Sequence, residues 1–115
     1  RAVIPHMIAQ GSGKIVSVAA KSGLLGTANA AAQSASKGAV IRLTEAISAE
    51  LKDQGINVNC VIPTMIDTPA NRASSPKADF SKWVTPEQMA GVMLFLASEE
   101  GSPIHGAAIP VYGRM

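Results

Sequence analysis

Residues 30–54 carry one long helical pattern set between two short apolar runs, 15–19 and 58–62, and the alternation recurs downstream with a helix over 86–97 and a last strand at 108–112. Strands alternating with helices indicate a parallel sheet with crossover connections. A further short helix is expected within 1–10. The fold is therefore expected to be α/β, a doubly wound parallel sheet of three strands with crossover helices. At 115 residues, about half of them hydrophobic, residues 1–115 are expected to form a single domain.

Within the long helix, Val40, Leu43, Ile47 and Leu51 recur at spacings of three and four, an apolar stripe expected to face the sheet. Ala30, Ala31, Ala32, Ala35, Ala39 and Ala46 make much of the remaining surface small and flat. Such a surface lets a second helix approach, and it also follows from alanine's preference for helix. Asn29 is expected to cap the helix start. Thr85 is the expected cap for a helix opening at Pro86-Glu87. Gly11-Ser12-Gly13 reads as a helix-ending turn, because it follows a helix and precedes a strand, the reverse of the order that phosphate binding requires.

Four segments carry a family resemblance. Gln33-Ser34-Ala35-Ser36-Lys37 opens the long helix; Gly13-Lys14-Ile15-Val16-Ser17-Val18-Ala19-Ala20 precedes it as a strand; Gly55 to Pro63-Thr64 forms the next strand; and Ile66-Asp67-Thr68-Pro69-Ala70-Asn71-Arg72 follows. In this order and at these spacings they resemble the C-terminal half of a short-chain dehydrogenase/reductase, with a Rossmann-like fold. Ile66 to Arg72, with Pro76 to Trp83, is similar to a narrower subset related to dihydropteridine reductase.

The resemblance implies a Tyr-x-x-x-Lys pair in which the phenol moves a proton while hydride passes to or from a nicotinamide, and the lysine lowers the phenol pKa and holds the ribose. Here Lys37 matches the lysine, Gln33 stands at the tyrosine position, and Ala20 stands at the position of the family's serine, with Ser17 and Ser22 flanking it. A carboxamide cannot titrate near working pH, so Gln33 cannot act as a general acid or base. The family's Pro-Gly reads Pro63-Thr64. No Gly-x-x-x-Gly-x-Gly run is present to cradle a pyrophosphate. The isolated chain is expected to hold no cofactor; completed by an N-terminal half, it would place Lys37, Pro63, Thr64, Ile66 and Thr68 along an NAD or NADP pocket.

Ten basic and eight acidic residues are scattered along the chain, which argues against nucleic-acid binding. His105 is a lone histidine without a Cys, Asp or His partner at ligand spacing, and His6 reads as a helix-surface residue, so no metal site is expected. Trp83, with Phe80 and Met89, is expected to anchor a loop to the core. Cys60, the single cysteine, suits a buried thiol in a reducing cytoplasm. No apolar run is long enough to span a membrane, and residues 1–6 lack the order of a signal peptide. Three functional readings stand: an inactive, self-associating fragment of a homo-oligomer, an oxidoreductase completed by a missing half, and an interaction module built on the alanine-rich helix.

Overall fold

Gly11 ends the first helix as its position predicts, adopting a left-handed φ of 69° with its N–H turned back onto Ile8 and Met7 carbonyls. In this computed structural model, which describes residues 2–115, the helix is α1 (Ile4–Gln10), and Arg1 lies outside the described residues. The chain continues through β1 (Gly13–Val18), α2 (Ala31–Leu51), β2 (Ile56–Pro63), α3 (Pro69–Ser74), α4 (Pro86–Ala97) and β3 (Ala108–Val111). Short 3-10 turns sit at Lys21–Gly23, Lys52–Gln54 and Phe80–Lys82. The three strands pair in parallel in the order β1-β2-β3, with Gly13 opposite Ile56 and Cys60 opposite Ala108. The expected three-stranded parallel sheet is thus the observed one.

Alternation along β2 divides the core in two. Ile56 and Val58 pack with Leu51 of α2, and Cys60 and Ile62 with Ile41 of the same helix. On the opposite face Val61 meets Val84, Met89 and Leu96, the inner side of α4. Every residue of β2 is buried, as expected for a central parallel strand covered on both faces. β1 is only half-covered and, among the described strands, pairs with β2 alone.

The long helix turns a different stripe to the sheet from the one its apolar spacing suggests. Ile41, Thr44, Ser48 and Leu51 are buried, Val40 and Ile47 flank them, and Leu43 is 59% exposed. Two small polar residues occupy the inner face because close approach matters more there than side-chain bulk. Thr44 satisfies its hydroxyl within the helix by donating to the Val40 carbonyl at 2.8 Å. Ser48 lies under Gly106, where an added Cβ would stand 3.3 Å from the serine oxygen.

Asn29 does not cap α2. It adopts φ 61°, a left-handed conformation that asparagine tolerates, and Ala30 takes the cap position without a side-chain bond. Thr85 does cap α4, and Gln88 returns a bond to the Thr85 backbone, completing a reciprocal capping box. The sequence reading has no counterpart for α3, which begins at Pro69 behind the Thr68 cap. Trp83 is buried and meets Phe80 edge-on at 4.9 Å between ring centroids, the anchor expected of it.

Candidate functional site

Parallel α/β sheets gather their ligand sites outside the carboxyl ends of the strands, and here three strand ends converge. Beyond β1 the chain passes through the extended Ala20 into the Lys21–Gly23 turn. Gly23 presses that turn onto α2: a Cβ would stand 2.6 Å from the Lys37 carbonyl carbon and 2.7 Å from its oxygen, so only glycine fits. Across the opening lie Pro63 and Thr64 at the end of β2. The Thr64 hydroxyl donates to the carbonyl of Tyr112, just past β3, at 3.3 Å.

These elements enclose a cleft of about 560 Å³, walled by Lys21, Ser22, Leu25, Gly26, Thr27, Ala28, Pro63, Thr64 and Met65. The Thr27 N–H donates to Ser34 Oγ at 3.2 Å, which ties this wall to the first turn of α2. The Lys21 ammonium lies 5.2 Å from the centroid of the Tyr112 ring. Ser22 Oγ is buried and has no protein hydrogen-bond partner, alone in this among the side-chain atoms of the described residues.

Of the residues singled out from sequence, Ser22, Pro63 and Thr64 line the cleft and the others stand around it. The Lys37 ammonium donates to the Val18 carbonyl at 2.9 Å, behind the turn. Ala20 is half-buried, and Gln33 is exposed in the first turn of α2. Ile66 pairs with Val84 in an isolated parallel bridge. Thr68 Oγ1 accepts from the Asn71 N–H and so serves the start of α3. Sequence reasoning passed over Lys21, Met65 and Tyr112. Lys21 had a usable signal, a charged residue three positions past the end of an apolar strand.

Further along the same rim, Arg72 meets the Asp67 carboxylate with both Nε and Nη2, the latter at 2.7 Å, and lies 4.8 Å over the Phe80 ring. The guanidinium holds the Asp67 carboxyl below the usual carboxylate range. Among the described residues, no group of three or more His, Cys, Asp or Glu side chains is placed to share a metal ion.

The family model described as short chain dehydrogenase matches residues 1–79. The chain is 34% identical over 123 residues to 2-(R)-hydroxypropyl-CoM dehydrogenase of Xanthobacter autotrophicus, a match covering 98% of this chain and 49% of that protein. It is 36% identical over 121 residues to 3-oxoacyl-[acyl-carrier-protein] reductase FabG of Thermotoga maritima, with the same coverage of 98% and 49%. Among solved structures, a gluconate 5-dehydrogenase from Burkholderia cenocepacia in complex with NADP and tartrate superposes with a TM-score of 0.86 at 33% identity, over 97% of this chain and 48% of that one. The chain thus spans about half the length of the curated relatives it matches.

Proposed function

Because the chain belongs to the short-chain dehydrogenase family, we propose that it is the C-terminal half of such an oxidoreductase, inert in hydride transfer on its own and self-associating. The observation that carries this reading is the pair Gln33 and Lys37, one turn apart on α2. Gln33 holds the place of the family's proton-transferring tyrosine and cannot titrate. The Lys37 ammonium is spent on the Val18 carbonyl, and Ala20 offers no hydroxyl. The chain contributes a helper lysine without the acid it would assist.

The residues present do not fit a dinucleotide by themselves. A nicotinamide cofactor supplies the hydride in this family, and here only the wall beside Pro63, Thr64, Ile66 and Thr68 could face one. The hydroxyls of Thr64 and Thr68 already serve Tyr112 and α3. No glycine-rich turn leads from a strand into a helix start. Holding two reactants in register is worth roughly 7–11 kcal/mol of barrier, and that contribution is missing.

Self-association rests on the outer face of α2, where Ala31, Ala32, Ala35, Ala39, Leu43 and Ala46 are all exposed. A second copy crossing this stripe would cover Leu43, and two-fold symmetry is the expected arrangement. A cytoplasmic location is part of the same reading, supported by the unpaired buried Cys60. Among the described residues no helix is long and apolar enough to cross a membrane.

A second reading, an NAD(P)-dependent enzyme completed by another half, is favoured by the unpaired outer edge of β1. Beside that edge runs an apolar groove of about 830 Å³ between Val16 and the Met93, Leu94 and Ala97 side of α4. One set of measurements tests the first reading. Isolated chain, with or without Gln33→Tyr, should oxidise NADH or NADPH at the background rate against ketone substrates, and light scattering should give an oligomer that Ala39→Glu dissociates. Turnover that disappears in Lys37→Met, or a stable folded monomer, would refute the proposal.

A further inference from the structure

We propose that the cleft at the carboxyl end of the sheet takes a small organic monoanion, a carboxylate on a short apolar chain, and that Lys21 selects its charge. The inference goes beyond the proposed function and gives the cleft a ligand of stated chemical class.

The wall of the cleft has one cation and no acid. Lys21 is its only charged residue, and the remaining polar side chains are the hydroxyls of Ser22, Thr27 and Thr64. Among the described residues Lys21 forms no ion pair, because the salt bridges present involve Arg42, Arg72 and Lys82. The Tyr112 ring steadies the ammonium at 5.2 Å through a cation–π contact that leaves its N–H donors available. A side chain held in this way has less rotamer freedom to lose when an anion binds.

The second observation is Ser22. Its hydroxyl is buried against the cleft wall with no protein partner, and a buried donor without an acceptor is costly enough to be uncommon. It neighbours Lys21 in the cleft wall, and a turn of its side chain toward the cleft would let a carboxylate held by Lys21 reach the hydroxyl. Leu25, Pro63 and Met65 supply an apolar surface for the body of the ligand. One cation suits one negative charge; a di- or triphosphate would leave most of its charge unpaired here.

The test is a titration of isotopically labelled chain with hexanoate, hexanol and hexylammonium at constant ionic strength, followed by amide chemical shifts. Hexanoate should give saturable shifts at Ser22, Thr27 and Thr64, and bind about threefold to fivefold more tightly than hexanol, the upper range for a solvent-accessible ion pair. Lys21→Met should erase that preference and Lys21→Arg should keep it, with dispersed spectra confirming that each variant is folded. Equal binding of hexanol and hexanoate by the unaltered chain would overturn the proposal without recourse to any variant. So would a preference that persists in Lys21→Met, or shifts confined to residues outside the cleft. Measured turnover would remove the proposal of inertness and leave this one standing, whereas absence of hexanoate shifts would remove this one and leave inertness untouched.

Discussion

Two asparagines on β2 hold the approach to β3, and a double-mutant cycle between them should reveal a coupling that neither single substitution shows. Asn59 is fully buried; its Nδ2 donates to the Ile104 carbonyl at 2.8 Å and its Oδ1 accepts from the Ala107 N–H at 2.9 Å. Asn57 lies two residues earlier on the same face, and its Nδ2 donates to the same Ile104 carbonyl at 2.9 Å and to Ser102 at 2.7 Å. Asn59→Ala leaves the N–H of the half-buried Ala107 without its partner, a penalty of roughly 1–3 kcal/mol, and removes one further bond worth about 1 kcal/mol. Ile104 keeps its bond from Asn57, so the total should be about 2–4 kcal/mol. Asn57→Ala should cost about 1–2 kcal/mol, because Asn59 still serves Ile104 and Lys14, freed from Asn57 Oδ1, can turn to solvent. Only in the double variant does the Ile104 carbonyl lose both donors, so the loss should exceed the sum by about 1 kcal/mol. Urea unfolding of the four proteins gives the energies, and amide exchange at Ala107 reports whether the start of β3 opens locally. A cost below about 1 kcal/mol for Asn59→Ala, or additivity within about 0.3 kcal/mol, would refute the assignment of these bonds.

Strand–helix alternation was legible because 15–19, 58–62 and 108–112 are apolar enough to be seen without neighbours, and the three strands lie where those runs stand. The helix face was not, because periodicity weighs bulk while this packing selects fit. Thr44 and Ser48 go inward since the sheet and the loop at Gly106 come close, and Leu43 is left outside. Asn29 illustrates a second limit: the residue types that cap helices also accept left-handed backbone, and only the path of the chain decides between the two uses. At the site, a motif pointed to Gln33, Lys37 and Ala20, whereas the cleft itself is walled by Lys21, Ser22 and residues 25–28. Those side chains meet Pro63 and Thr64 only after β1 and β2 pair, a proximity that no local spacing encodes.

The remaining predictions concern backbone and burial. Gly55 sits at φ 75°, and an added Cβ would collide with the Gly11 carbonyl oxygen. Gly55→Ala should therefore cost about 2 kcal/mol or more in urea melts, whereas Gly91→Ala in α4, with open space around it, should stabilise by about 0.5–1 kcal/mol; equal effects at the two sites would contradict the packing at Gly55. Burial pushes the Cys60 thiol above its ordinary pKa, so the folded chain keeps its proton at a pH where the unfolded chain, near about 8.5, has released it. The thiol's contribution to stability is then fully present below that pH and is lost as pH rises from the unfolded value through the folded one. Unfolding free energies measured between pH 7 and 10 should fall more steeply for this protein than for Cys60→Ala, and a disulfide reagent should label Cys60 only at the rate at which the core opens. Rapid labelling of the native protein at pH 7, or parallel pH profiles for the two proteins, would mean that Cys60 is reached by solvent without unfolding and that β2 is not the covered strand described above.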